Sequence, residues 1–178
     1  MGTSIITDQL KKTIQTELLE NKTEFLKNEL SLLLNRKKYN LCDNYEDFIA
    51  ISFEYDYPFD FCFVGYPTPE LFDNWNETAI INFPQSQTKS ISEILLNFYE
   101  EQNITQEEFD PSYWPLAKEI YREFFSNCWM RAKTEAKSDK RAFLFEHDIG
   151  LGWDCDLSKE INEDNIKVEI EKETGYNM

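Results

Sequence analysis

Histidine is nearly absent from this chain, since His147 is the only one in 178 residues. Imidazole is the side chain that most often moves protons near neutral pH, so acid–base catalysis would have to use carboxylates, cysteine or lysine. The sequence also has no P-loop, no G-x-G-x-x-G, no H-E-x-x-H and no G-x-S-x-G. These absences argue against an enzyme, and nothing in the sequence predicts a cofactor.

Cysteine pairs and long apolar runs are also missing. Cys42, Cys62, Cys128 and Cys155 are far apart and form no C-x-x-C pair. No charged-then-apolar leader is present, and no apolar run approaches the ~18 residues of a membrane helix. We therefore predict a cytoplasmic protein with four reduced thiols and no membrane contact. Aromatic residues make up 15% of the chain, which argues against intrinsic disorder.

Basic residues are scarce in the middle of the chain. Residues 41–110 contain fifteen acidic side chains and one basic one, Lys89, while the whole chain carries a net charge of −16. A concentrated negative field repels nucleic acid and anionic membranes and attracts basic proteins. The composition therefore predicts a basic protein partner and no direct contact with nucleic acid.

Hydrophobic periodicity predicts three helical regions. Apolar positions at helical spacing indicate a long helix over residues 8–38, with a bend or break at Asn21-Lys22-Thr23. Ser90 and Glu93 form a capping box at the start of a second helix. A third helix is predicted over residues 113–137, preceded by a short turn after Thr105.

Runs of β-branched and aromatic residues predict the strands. An antiparallel hairpin is expected over Phe48–Val64, a third strand over Thr78–Phe83, a fourth over Ala142–Glu146 and an edge strand over Ile166–Ile170. We therefore predict an α+β fold, with an antiparallel sheet of about four to five strands packed against two or three helices. Residues 1–171 would form one domain, with an acidic hairpin region at 41–110 and a flexible tail at 172–178.

The densest group of polar residues is the loop His147–Asp156. His147, Asp148, Asp154 and Asp156 could supply metal ligands, although their spacing matches no known zinc or calcium loop. Cys155 could act as a nucleophile with His147 as its base. The third interpretation, which we favour, is a tight glycine-containing turn with solvated acids and with Trp153 packed on the sheet. We therefore assign no catalytic residue and no metal site.

Tyrosine and tryptophan lie among the acids of residues 41–110. Carboxylates beside these rings form a good surface for arginine and lysine, through salt bridges, hydrogen bonds and cation–π contacts. The predicted partner-binding residues are Asp43, Glu46, Asp47, Glu54, Tyr55, Asp56, Tyr57, Asp60, Tyr66, Asp73 and Trp75.

The layout resembles small acidic bacterial proteins of the immunity type, which are encoded beside polymorphic toxins. The resemblance is carried by the opening amphipathic helix, the Phe48–Val64 hairpin, the Tyr113–Ala136 helix and the strand end Phe143-Leu144-Phe145-Glu146-His147-Asp148. It implies an inhibitor that neutralises a basic toxin by masking its active site. Two alternatives remain open: a nucleic-acid mimic acting on a DNA-binding protein, and a small enzyme or ligand-binding protein using the His147–Asp156 loop.

Overall fold

The computed structural model describes most of the helical residues and the central sheet. The described residues are 2–17, 22–37, 50–56, 60–68, 79–82, 91–146, 150–162, 165–166 and 168. In chain order the elements are α1 (Gly2–Glu17), α2 (Thr23–Leu34), β1 (Ala50–Asp56), β2 (Asp60–Thr68), β3 (Ala79–Asn82), α3 (Ile91–Gln102), α4 (Gln106–Ala136), β4 (Arg141–Glu146), β5 (Leu151–Asp154) and β6 (Lys159–Asn162).

Within the described ranges, six strands form one mixed sheet in the order β3-β2-β1-β4-β5-β6. The pair β1 and β4 is parallel, and every other neighbouring pair is antiparallel. The α+β class is confirmed, but the prediction of an antiparallel sheet with four to five strands is wrong. The chain leaves β1 through the β2–β3 meander, crosses over through α3 and α4, and returns on the opposite side of β1. Such a crossover makes the returning strand parallel.

The N-terminal helical region consists of two helices, as the sequence at Asn21-Lys22-Thr23 suggested. α1 begins at Gly2, earlier than predicted, and α2 ends at Leu34, before residue 38. Arg36 stops α2 because it adopts a left-handed conformation, with φ 53°. The amides of Arg36 and Lys37 donate to the carbonyls of Leu33 and Leu32, each at 3.0 Å. This is the Schellman arrangement that satisfies the last carbonyls of a helix.

The helix predicted over residues 113–137 is longer at its N-terminal end. α4 has 31 residues and begins at Gln106, so it includes the segment after Thr105 that was predicted as a separate turn. Its C-terminal boundary agrees with the prediction, because Lys137 is left-handed at φ 55° and the Ser138 amide donates to the Lys133 carbonyl. No helix in the described residues is long and apolar enough to cross a bilayer.

The main core lies between the helices and one face of the sheet. α4 contacts α2 and α1, and α1 also contacts α3. The Phe53 ring of β1 lies 5.0 Å from the Phe125 ring and 5.9 Å from the Trp129 ring of α4, measured between centroids. Leu144 of β4 is fully buried in the same cluster. Each large side chain buried here contributes roughly 1.5–3 kcal/mol, so this packing fixes α4 across the sheet.

The other face of the sheet holds a smaller cluster of Ala50, Phe143, Phe145, Ile161 and Ile166. The edge strand predicted over Ile166–Ile170 is wrong where the structure describes it, because residues 165, 166 and 168 are helical. Ile166 is nevertheless fully buried in this cluster. β5 and β6 were not predicted, since the glycines around Leu151 indicated a turn. The predicted tail 172–178 lies outside the described residues.

Candidate functional site

Asp154, one of the candidate metal ligands, lies at the end of β5 and is completely buried. Its Oδ2 accepts from the Arg141 guanidinium, and Oδ1 accepts from the amides of Asp156 and Leu157, each at 3.0 Å. A buried carboxylate is stable when it is paired with a cation and hydrogen-bonded. Asp154 has both kinds of partner, so it organises the turn between β5 and β6.

Asp156 joins three separate segments of the fold. Its Oδ2 accepts from the Trp129 indole N–H at 3.2 Å and from the Ala142 amide at 2.9 Å. Its Oδ1 lies 2.5 Å from the Lys133 ammonium. The carboxylate therefore connects α4 to the first residues of β4, and its acceptor capacity is used inside the protein.

Cys155 is only 1% exposed and its amide donates to the Ala142 carbonyl at 3.0 Å. Burial raises the pKa of the Cys155 thiol well above its ordinary value, so the thiol is protonated near neutral pH. Burial also raises the pKa of Cys128 to about 12. Because the thiolate is the nucleophilic form, this environment does not activate Cys155.

The His147–Asp156 loop therefore separates into two parts. His147 and Asp148 lie outside the described residues, while Asp154, Cys155 and Asp156 have structural partners. The favoured interpretation, a glycine-containing turn with solvated acids, is wrong in both respects. Leu151 and Gly152 lie in β5, the turn follows at residues 155–158, and Asp154 and Asp156 are bonded within the protein. The described part of the chain contains no group of three or more metal-ligating side chains.

A row of polar contacts joins α4 to the adjoining strands. Lys118 pairs with Glu146, Arg122 pairs with Glu160 at 3.1 Å, and the Trp153 indole donates to Ser126 at 3.0 Å. The Arg122 guanidinium also lies over the Trp153 ring, 5.4 Å from its centroid. Trp153 therefore packs against the helix side of the sheet, as the sequence indicated. A cleft of about 490 Å³ lies beside these contacts, and its cations are already paired with carboxylates.

The predicted partner-binding residues are only partly covered by the structure. Asp43, Glu46, Asp47, Tyr57, Asp73 and Trp75 lie outside the described residues. The backbone places Glu54, Tyr55 and Asp56 on β1, and Asp60 and Tyr66 on β2.

The register of β1 relates these positions to one another. Asp56 is directly opposite Asp60, Tyr66 is opposite Ser52, and Tyr55 is opposite Glu146 of β4. The hairpin thus brings together two acidic positions that are four residues apart in sequence. The side chain of Glu54 is half-buried.

Helix α3 carries exposed acids that were counted in the charge of residues 41–110 but were not among the predicted binding residues. Glu93, Glu100 and Glu101 are exposed on α3, and Glu107 is exposed at the start of α4. The same helix has an exposed leucine, Leu96. The spacing of Glu93, Leu96, Asn97 and Glu100 is the signal that would have found this surface, because it places them on one helical stripe.

Several ion pairs join the described helices to one another and to the sheet through carboxylates. These carboxylates are Glu17, Glu24, Glu135, Glu146, Asp154, Asp156 and Glu160. Their partners lie on α2, α4 and β4 or in the turn before α2. Glu93 of α3 also attracts the Lys22 ammonium, so the central segment takes part in these interactions as well.

No family model, curated protein or solved structure matches this chain.

Proposed function

We propose that this chain is an acidic inhibitor that captures a basic partner protein through residues 41–110. The observation that carries the proposal is the distribution of charge. Fifteen acids and one lysine occupy that segment, so it holds most of the chain's net charge of −16. A partner that supplies lysine and arginine would neutralise this charge.

The physical mechanism is electrostatic capture followed by close contact. A single-sign field raises association rates by roughly 10–1,000-fold at low salt, which suits an inhibitor that must act before its target does damage. Aromatic rings beside the acids would then stack on arginine and lysine side chains. Among the partners that fit, a basic toxin is the one that the immunity-type resemblance implies, and the proposed compartment is the cytoplasm.

The condition of the His147–Asp156 loop favours binding over catalysis as the proposed function. Asp154 and Asp156 have partners that hold the fold together, and the Cys155 thiol is buried and protonated. A nucleophile or a metal site in this loop would require breaking those contacts.

The test compares capture by the wild type with capture by two charge-neutralised variants. One variant carries Asp43→Asn, Glu46→Gln and Asp47→Asn in the central segment. The matched control carries Glu119→Gln, Glu123→Gln and Asp139→Asn, three exposed acids outside that segment. Each protein is immobilised, loaded with native cell extract at low salt and eluted with salt, and the eluate is identified by mass spectrometry.

We expect one basic protein that elutes with salt, that the control variant retains, and that the central-segment variant loses. Inhibition of that protein's activity by the wild type would complete the test. Retention of the partner by the central-segment variant would contradict the proposal. Displacement of DNA from several unrelated DNA-binding proteins would replace it with nucleic-acid mimicry.

A further inference from the structure

Helix α3 presents an apolar residue at the centre of an acidic stripe. Glu93, Leu96, Asn97 and Glu100 follow one another at helical spacing along one side of α3, and Leu96 is 59% exposed. This is the highest exposure among the large hydrophobic side chains of the described residues. An isolated exposed leucine is ordinary, but Leu96 is flanked by acids and precedes Asn97, which lines a cleft, and this combination fits a contact surface.

The cleft lies beside this stripe, between α1 and α3. It has a volume of about 460 Å³ and is lined by Lys12, Thr13, Thr16 and Glu17 of α1 and by Asn97, Phe98 and Glu101 of α3, so its α1 side carries one cation and one acid. Phe98 is 4% exposed and gives the cleft an apolar floor. Asn97 belongs both to the stripe and to the cleft, so the two features form one continuous surface.

The acidic residues at the C-terminal end of α3 destabilise the helix. Glu100 and Glu101 lie in its last turn, next to the negative end of the helix dipole, and the helix contains no basic residue. Both side chains are exposed. Cations are favoured at this end of a helix, so a lysine or arginine from another molecule would be attracted both by the carboxylates and by the helix terminus.

We propose that the stripe and the α1–α3 cleft form the docking surface for a basic segment of the partner protein. This inference rests on the proposed function and specifies the partner's chemistry: an apolar side chain flanked by lysine or arginine. The apolar side chain packs against Leu96 and the mouth of the cleft above Phe98. The flanking cations pair with Glu100 and Glu101 at the end of α3.

The test uses two synthetic peptides of equal positive charge as probes. One is an amphipathic helical peptide of lysine and leucine, and the other contains lysine with serine in place of leucine. Binding to the full chain is measured by fluorescence anisotropy at low and moderate salt. The variants are Leu96→Ser and Glu100→Gln/Glu101→Gln, and the matched controls are Leu157→Ser and Glu119→Gln/Glu123→Gln, which change exposed residues elsewhere.

We expect Leu96→Ser to weaken binding of the leucine-containing peptide about tenfold, the value of one well-buried aliphatic contact, and to leave the serine peptide unaffected. Neutralising Glu100 and Glu101 weakens the binding of both peptides and reduces the salt dependence of that binding. The affinities of the control variants for both peptides stay within about twofold of the wild-type values. Amide chemical-shift changes on titration should centre on residues 93–101 and 9–17.

The proposed docking surface would be contradicted if the wild type bound both peptides equally. It would also be contradicted if the α3 variants and the control variants lost the same amount of binding affinity. Self-association of the wild type that Leu96→Ser abolishes would also overturn it, because the occupant would then be a second copy of the chain. If the captured basic protein is lost with the Asp43, Glu46 and Asp47 substitutions but retained by the α3 variants, the proposed function stands and this inference fails. Absence of any salt-sensitive partner would instead contradict the proposed function.

Discussion

At the scale of single residues, the acids around Asp154–Asp156 show how a polar cluster can be structural. Asp156 accepts from an indole, an ammonium and a backbone amide, which belong to α4 and β4. A sequence shows that carboxylates are close together in the chain, but it does not show which donors fold against them. Asp154 and Asp156 were reasonable candidate metal ligands from composition, and both are ion-pair partners in the structure.

The Asp156→Ala substitution should be strongly destabilising. It leaves the Trp129 and Ala142 N–H groups without their acceptor and removes the partner of the Lys133 ammonium, which is largely buried. We expect the free energy of unfolding to fall by about 2–4 kcal/mol, measured by urea denaturation. Asp139→Ala, at an exposed position, is the control and should change stability by less than about 0.5 kcal/mol. Equal effects of the two substitutions would show that Asp156 has no special role.

Gly152 is required because Phe145 lies against it. A Cβ atom at this position would lie 2.3 Å from the nearest Phe145 ring atom, and the two residues are register partners on β5 and β4. We expect Gly152→Ala to lower the free energy of unfolding by about 1–3 kcal/mol through overpacking. The double variant with Phe145→Leu, measured by the same denaturation, should recover part of that loss because the smaller side chain leaves room. A fully additive loss would contradict this explanation.

The buried thiols predict a dependence of stability on alkaline pH. Burial raises the pKa of Cys128 from 9.0 to about 12, so between these values the unfolded chain loses this proton and the folded chain keeps it. The stability linked to Cys128 is therefore complete below pH 9 and is lost as the pH rises toward 12. At one pH unit above the pKa of this thiol in the unfolded chain, the free energy of unfolding is lower by about 1.4 kcal/mol.

The measurement is urea unfolding of the wild type and of Cys128→Ala at pH 8 and at pH 10. The variant lacks the thiol, so it should lose less stability than the wild type between the two pH values. Lysines and tyrosines that ionise in the same range affect both proteins, and the difference between the proteins isolates Cys128. Identical pH dependence in the two proteins would contradict a raised pKa at this thiol.

At the scale of elements, some helix boundaries could be predicted from local sequence and others could not. The break near Lys22 and the end of α4 near Lys137 were predicted correctly, because an Asn-Lys-Thr interruption and the end of an apolar stripe are local features. The start of α4 was not, because the capping pattern at Thr105 looked like a separate turn before Pro111. Continuation of the helix through residues 106–112 gives one element of 31 residues.

Lys137→Gly should stabilise the C-terminal end of α4. Lys137 is exposed and has a φ of 55°, a conformation that glycine adopts without the steric cost that a Cβ brings. We expect the free energy of unfolding to rise by up to about 1 kcal/mol in thermal or chemical denaturation. Thr134→Gly, one turn earlier inside α4, is the control, and it should lower the free energy of unfolding by a comparable amount. Destabilisation by both substitutions would show that the left-handed position carries no strain.

At the scale of the whole molecule, the net charge of −16 affects stability as well as binding. Like charges repel one another more strongly in the compact state than in the unfolded chain, and salt screens this repulsion. Raising the salt concentration from about 20 mM to about 300 mM should therefore raise the midpoint of thermal unfolding, since the Debye length shortens severalfold. A midpoint that falls with salt would show that the ion pairs of α4 and the sheet outweigh the repulsion.

The candidate surface was visible in the sequence as charge but not as geometry. The excess of acids in residues 41–110 is a property of composition, and the sequence analysis placed its binding residues on the tyrosine-rich strands. Whether an acid on α3 is exposed depends on which side of that helix faces α1, and Phe98 decides this by packing into the core. The helical spacing of Leu96 and Glu100 is readable in the sequence, but only the structure shows that this side of α3 is exposed.

The sequence by itself determined the acidic character of the protein, the presence of the first four strands and of α3, and the α+β class, although β2 continues to Thr68, beyond the predicted end at Val64. These follow from local composition and from periodicities of two and 3.6 residues, which neighbouring side chains impose on the backbone. The tertiary structure alone decided the parallel pairing of β1 with β4, the strands β5 and β6, and the partners of Asp154 and Asp156. Those features join segments far apart in the chain, and their pairing depends on how long α4 is and which face it buries, which no local pattern records.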